Sequence, residues 1–262
     1  MNYGCFAHLH DGYTIKKSGY DSIELNLQEI NAIEERELAK YAKEYKSLGL
    51  TVYSVSWILP TDVDLTSPEL DRKRWLEYLK RGAERCAELG VSIWPFGCGY
   101  GRSIKPDNKE SVASQTARVN SFIFDTAEIC SKYNIKLALE PLGPSNSNYI
   151  QTLAQANDVI KEIAHPDLFM MCDFRHMCAT SDEIARIADY DDSIVHCHID
   201  MPLGKKRLFP RADDGVDYSP YLRAVLSLKC QQLSVEAIDA KLVDAEASLK
   251  YIKEKNEEIM RF

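Results

Sequence analysis

The chain has 262 residues, 45% of them hydrophobic and 27% charged, with a net charge of −8. That length holds one barrel-sized core or two small ones, and the acidic balance argues against a nucleic-acid binder, which carries a basic excess or stripe. No apolar run reaches the roughly 18 residues a membrane helix needs, and residues 1–11 lack the basic-then-apolar pattern of an export signal.

Apolar, β-rich runs alternate with amphipathic stretches along the chain. A first strand is predicted at 3–8, and the connection at 9–19 has room for about one or two helical turns. Strands come next at 22–26 and 51–56, separated by a helix over 35–48 that Gly49 closes. Ser67 before Pro68 predicts a capped helix over 69–89, ended by Gly90. A strand at 91–96 precedes a long helix over 108–133. After the strand at 135–140, Thr152 and Gln155 have capping-box spacing, as do Thr180 and Glu183 after the strand at 168–173. The strand at 194–198 leads into the longest irregular stretch, 201–217, and then Ser219-Pro220 opens another helix. A strand at 233–236 and a helix over 240–258 complete the chain.

Short apolar strands suit a parallel sheet buried on both faces. Eight of them interleaved with helices in about 250 residues predict an α/β fold, a (β/α)₈ TIM barrel of one domain spanning 1–262, in preference to a doubly wound open sheet. The eight cysteines are scattered and form no C-x-x-C pair. They are read as reduced thiols, which places the protein in the cytoplasm.

Four consecutive strands end in a side chain that can hold a metal: Glu140, Asp173, His198 and Glu236. Side chains alternate along a strand. Glu140 therefore shares a face with Ala138, Asp173 with Met171, His198 with His196, and Glu236 with Ser234. The opposite parity carries Leu137, Leu139, Cys172, Val195, Cys197 and Val235, which suit packing against helices. The four candidates then point into the barrel mouth, where barrel active sites form. Three converging carboxylates repel one another unless a cation joins them. Three oxygens and one imidazole favour one divalent ion, with Mn²⁺ first, Mg²⁺ or Co²⁺ next, and Zn²⁺ also compatible.

With these residues in place, the chain resembles the xylose isomerase-like TIM barrels, in particular the sugar phosphate isomerase/epimerase group with the ketose 3-epimerases. The resemblance runs from Gly19-Tyr20-Asp21-Ser22-Ile23-Glu24-Leu25 to the last strand. Its most specific parts are Leu139-Glu140-Pro141, Asp173-Phe174-Arg175-His176, Cys197-His198-Ile199-Asp200 and Val235-Glu236-Ala237. It implies that Glu140, Asp173, His198 and Glu236 bind the metal and that Glu140 and Glu236 also exchange protons with substrate. It implies that His176 contacts a substrate oxygen, and that an arginine after the seventh strand positions substrate; Arg207 is the best match, with Arg211 competing. Glu24 is inward by the same resemblance, toward metal-bound water or substrate. Many relatives are dimers or tetramers, so homo-oligomers are expected. No glutamate lies within 141–146, where ketose 3-epimerases often carry a second one.

Other residues keep two readings. Trp57, Trp94 and Phe96 form either an apolar wall for a sugar ring or core. His196 is either packed interior or functional, and His8 and His10 line the mouth or are exposed. Lys205-Lys206-Arg207 with Arg211 either grips an anion or is a solvated loop balanced by Asp213 and Asp214. Gly97, Gly99 and Gly101 do not make a dinucleotide fingerprint, since no helix opens after them, and instead let a loop approach the site.

The expected function is a metal-dependent isomerase or epimerase of a sugar or sugar phosphate, by proton abstraction beside a carbonyl. The alternative is a lyase on a keto-polyol of the inosose or dehydroshikimate type, or cleavage of a related sugar derivative. The barrel DNA endonucleases are distant relatives, but they need more metals and a basic groove. A non-catalytic barrel is set aside because all four ligands are intact. The expected partner is a small carbohydrate, with no nucleic acid and no membrane.

Overall fold

The computed structural model describes residues 1–106, 110–180 and 183–261. Eight strands are present: β1 (Asn2–Phe6), β2 (Ser22–Asn26), β3 (Thr51–Ser56), β4 (Ile93–Phe96), β5 (Lys136–Leu139), β6 (Leu168–Asp173), β7 (Ile194–Ile199) and β8 (Gln232–Val235). All neighbours are parallel, and β8 pairs with β1 to close the barrel. The fold is the predicted TIM barrel.

Helices wrap the strands: α1 (Gly12–Lys17), α2 (Leu27–Ala32), α3 (Glu35–Leu48), α4 (Arg72–Leu89), α5 (Val112–Ser131), α6 (Leu153–Ile163), α7 (Phe174–Cys178), α8 (Ser219–Leu226) and α9 (Ala245–Met260). Gly49 and Gly90 end α3 and α4 at φ 60° and 78°, the left-handed cap predicted for them. Thr152 caps α6 by accepting from the Gln155 amide. Two starts differ from expectation. Helix α4 begins at Arg72, because Asp71 accepts from the Arg74 amide while Ser67 only closes a turn onto Glu69. Helix α9 begins at Ala245, after a 3₁₀ turn at Leu242–Asp244. The start expected at Asn108 and the middle of the Thr180–Glu183 box, residues 181–182, lie outside the described residues; Glu183 leads into a 3₁₀ helix, Ile184–Tyr190.

The main core lies between strands and helices, with Cys5, Ile23, Leu25, Val55, Leu137, Leu139, Cys172, Cys197 and Val235 at 0–2% exposure on the outward parity. Each fully buried large aliphatic there contributes about 1.5–3 kcal/mol. The interior of the barrel is different. Ser22, Glu24, Ser54, His196 and Ser234 are all 0–1% exposed, where barrels commonly stack branched aliphatics. Near β4–β6, Ile93, Ala138 and Met171 form a small separate apolar cluster. A polar interior beneath the mouth marks where the structure departs from simple packing. Among the described residues, no helix is long and apolar enough to cross a membrane.

Candidate metal centre at the barrel mouth

Glu140 stands one residue past β5, Asp173 ends β6, His198 lies in β7, and Glu236 stands one residue past β8. Strand alternation and the register Asp173↔His198 turn them to one side. One ligand atom from each lies within 4.8 Å of the others, and all four residues are buried. His198 Nδ1 is 3.4 Å from Glu236 Oε2 and 3.7 Å from Asp173 Oδ2. It is a buried nitrogen with no hydrogen-bond partner. Its other nitrogen, Nε2, lies 3.0 Å and 3.1 Å from the two Glu24 oxygens. A carboxylate only accepts, so Nε2 carries a proton. Burial disfavours the charged ring, but Glu24 and Glu236 hold it well above the usual imidazole range, so Nδ1 takes a proton without an ion and offers its lone pair to one when bound.

The electrostatics ask for a cation. Burial pushes Glu140 up to about 8, and Asp173 and Glu236 add to the shift. Burial opposes ionisation of Asp173 and Glu236 as well, but the groups facing them outweigh it. His176, Arg207 and His198 hold Asp173 well below the usual range, and Arg207 and His198 hold Glu236 below it. Three oxygen donors, one free imidazole lone pair and an uncompensated carboxylate fit one divalent ion.

Arg207 arrives from the loop after β7. Its Nη1 lies 3.3 Å from Asp173 Oδ2 and bonds Glu236 Oε2. Its backbone pairs with Asp239 in both directions, at 2.8 Å and 3.0 Å. Arg211 remains at the surface on Asp213, and Lys205 and Lys206 are exposed. Arg207 is therefore the arginine of the site, and the rest of that basic run is solvated loop.

His176 is 3% exposed on α7, one turn beyond Asp173, whose Oδ1 accepts from the His176 amide at 2.9 Å. Two donors face its ring: the Gly143 amide at Nδ1, 3.1 Å, and Arg207 Nη2 at Nε2, 2.9 Å. Burial holds this imidazole down to about 4, so it is neutral and has one lone pair. The Gly143 amide is fixed by the backbone, so Nδ1 accepts there. Nε2 faces the mouth, 3.7 Å from Glu140 Oε1. Without a substrate Arg207 competes with the Gly143 amide for the ring's one lone pair, and with Nδ1 accepting from Gly143 an Nε2–H is left for a substrate oxygen.

The mouth is a cavity of about 950 Å³, open space included, walled by Trp57, Leu59, Pro60, Tyr100, Leu142 and Ile238, with Glu140, His176, Arg207 and Glu236 at its base. Trp57 is at the mouth, 38% exposed, with φ at 52°, a conformation seldom taken by a bulky residue. Trp94 and Phe96 are fully buried core. Pro95 between them lines the cavity, because alternation turns it inward. Gly97 lies against the site: a Cβ there would stand 2.6 Å from Glu140 Oε2. Gly99 and Gly101 approach the Asn146 and Val63 carbonyls in the same way. His8 pairs with Glu29 at the surface, and His10 is exposed.

Glu24 is corrected. It is wholly buried one layer below the cluster, bonded to His196, His198 and Ser54, and it is not among the cavity-lining residues. It sits behind a ligand and does not face substrate. Two anchors were missed. Arg102, wholly buried, donates to the carbonyls of Phe96, Glu140, Tyr149 and Ile150, holding the loops after β4 and β5 together. Arg175 does the same for the loop that carries Arg207; its place beside Asp173 was the available signal.

A model of the xylose isomerase-like TIM barrel family matches residues 13–255. A probable ketose 3-epimerase of Synechocystis sp. is 26% identical over 203 residues, covering 76% of this chain and 67% of that protein. A solved L-ribulose 3-epimerase superposes with a TM-score of 0.81 at 18% identity, covering 100% of this chain and 96% of its own. The IOLI protein with a bound zinc atom superposes at 0.74 with 17% identity, covering 99% and 98%. The last two likenesses are of fold.

Proposed function

Since the chain belongs to the xylose isomerase-like TIM barrel family, we propose that it is an enzyme that epimerises or isomerises a sugar by moving a proton at the carbon beside its carbonyl. One observation carries this reading: four side chains from four consecutive strands converge within 4.8 Å, with the His198 Nδ1 lone pair turned into them. A divalent ion held by Glu140, Asp173, His198 and Glu236, with Mn²⁺ first among the candidates, supplies Lewis-acid polarisation of the carbonyl and its neighbouring hydroxyl.

The residues themselves do the proton work. Glu140 and Glu236 come from strands three apart and reach the cavity from different sides of its base. One carboxylate takes the proton from one face of the carbon, as the C–H electron pair moves toward the carbonyl oxygen. The other carboxyl group returns a proton from the opposite face, inverting the centre. His176 Nε2–H is placed to donate to a substrate oxygen, and Arg207 to hold another. Trp57, Leu59 and Ile238 cover the C–H faces of the ring and exclude water.

Among the described residues lining the cavity, Arg207 is the one cation, and it already faces Asp173 and Glu236. This favours an unphosphorylated sugar over a sugar phosphate. Eight unpaired cysteines support the cytoplasmic reading.

The test is incubation with Mn²⁺ in deuterated water against ketoses, ketose phosphates and keto-inositols, read by NMR. Deuterium at the carbon beside the carbonyl, with an epimer or isomer formed, is the expected result. Loss of water from the substrate would instead identify a dehydratase working from the same site. Glu140→Gln and Glu236→Gln should each abolish turnover with the fold intact, and near wild-type turnover in both would overturn the mechanism.

A further inference from the structure

Glu24 and His198 are 174 residues apart in sequence and meet inside the barrel. Glu24 sits mid-strand in β2, facing inward, with the parity of Ser22 and opposite to that of Ile23 and Leu25. Its carboxylate receives three donors: Ser54 Oγ at 2.6 Å, His196 Nε2 at 2.9 Å, and His198 Nε2 at 3.0 Å. All four side chains are 0–1% exposed. A buried carboxylate held by hydrogen bonds alone needs this number of donors, because its desolvation is otherwise uncompensated.

The consequence falls on His198. A neutral imidazole carries its proton on one nitrogen and accepts, or ligates, through the other. With Nε2–H bound to Glu24, the lone pair is on Nδ1, which is the atom turned toward Asp173 and Glu236. His196 and Ser54 hold the carboxylate so that it faces the ring from one direction. Tyr53 stacks at 6.3 Å on His196 and His196 meets His198 edge to face at 4.8 Å, so the two rings have little freedom to rotate.

We propose that Glu24, with His196 and Ser54 as its supports, is a positioning residue of the metal centre: it selects the Nε2–H tautomer of His198 and raises the basicity of the Nδ1 ligand atom. The proposal rests on the reading of Glu140, Asp173, His198 and Glu236 as metal ligands. The anionic charge it adds lies directly behind the imidazole, so the effect reaches the ion through the ring with no contact between Glu24 and substrate.

The experiment uses the full chain with labelled histidine nitrogens. Long-range proton–nitrogen NMR of the metal-free wild type, at a pH high enough that the ring is neutral, should show His198 protonated at Nε2 with Nδ1 bare. Glu24→Gln keeps the size and loses the charge; it should mix the two tautomers and raise the Mn²⁺ dissociation constant about 10–100-fold, with the circular dichroism of wild type. A neutral wild-type His198 protonated at Nδ1 in place of Nε2 overturns the proposal, and so does a folded Glu24→Gln variant that binds Mn²⁺ as tightly as wild type. If Glu24→Gln does not fold, the wild-type spectrum decides alone. A wild-type protein that binds no Mn²⁺ overturns the metal reading, while the tautomer, read without metal, answers for Glu24 separately.

Discussion

Arg175 Nε donates to Asp200 Oδ2 at 2.7 Å, tying the turn after β6 to the end of β7. The same guanidinium donates to the carbonyls of Met201, Gly204 and Lys206. It gathers the loop whose next residue, Arg207, enters the site. Burial and the nearby Asp173 push Asp200 up to about 7 in spite of Arg175, so the pair serves more to hold the loop than as a strong charge–charge bond.

Arg175→Ala should therefore misplace Arg207. A roughly 10–100-fold loss of kcat/KM is expected, the order that a 1 Å displacement produces. Leaving Asp200 and the loop carbonyls without their donor should also lower stability by about 1–3 kcal/mol. Steady-state kinetics and urea unfolding measure the two effects. Unchanged kcat/KM would mean that the Arg207–Asp239 backbone pairing holds the loop unaided.

Gly97→Ala adds a methyl group 2.6 Å from Glu140 Oε2. The carboxylate must turn away, and Mn²⁺ affinity should fall by about tenfold or more, about 1.4 kcal/mol or more. The melting temperature should stay near wild type, because the change touches the site and not the core. Calorimetric titration and a thermal melt check both, and undiminished affinity would show that Glu140 has room to shift.

In the metal-free protein Glu140 is pushed up to about 8 by burial and by Asp173 and Glu236, from an ordinary value of 4.5. The folded chain thus holds a proton there that the unfolded chain releases. Its stability should fall as pH rises from about 4.5 through about 8. A bound divalent ion displaces that proton. Calorimetry of Mn²⁺ binding in buffers of different ionisation heat should show about one more proton released at pH 7 than at pH 9, the proton that Glu140 loses in between. Equal release at both pH values would place the proton elsewhere.

Trp57 lies in the left-handed region at φ 52° with its side chain at the mouth. That conformation costs a non-glycine residue about 1–2 kcal/mol. Trp57→Gly should leave the protein at least as stable, while KM rises about tenfold and kcat changes little, the pattern of lost uniform binding. A lower melting point with unchanged KM would assign the indole to packing.

Much of the site was legible because strand alternation is a local rule. Glu140, Asp173, His198 and Glu236 sit at strand ends with apolar neighbours of the other parity, so their common direction follows from the pattern. The same rule separates Pro95 from Trp94 and Phe96, and applying it there decides for core between the two readings of that pair. The start of α4 was less legible: Ser67 and Asp71 are both good caps, and the choice between them depends on which amide each reaches. Arg207 was separable from Arg211 only by resemblance, since an irregular loop has no periodicity to read.

The chain by itself determined the barrel, the strands to within a few residues, and the four residues of the candidate metal centre. Those depend on burial patterns and on a two-residue repeat that neighbouring residues enforce. Barrel closure decided that Glu24 lies behind His198, and the pairing of neighbouring strands decided that Arg102 and Arg175 anchor the loops at the mouth and that Gly97 lies against Glu140. The Arg102–Glu140 and Glu24–His198 contacts join residues 38 and 174 positions apart; the first depends on how β4 meets β5 and the second on how β8 meets β1.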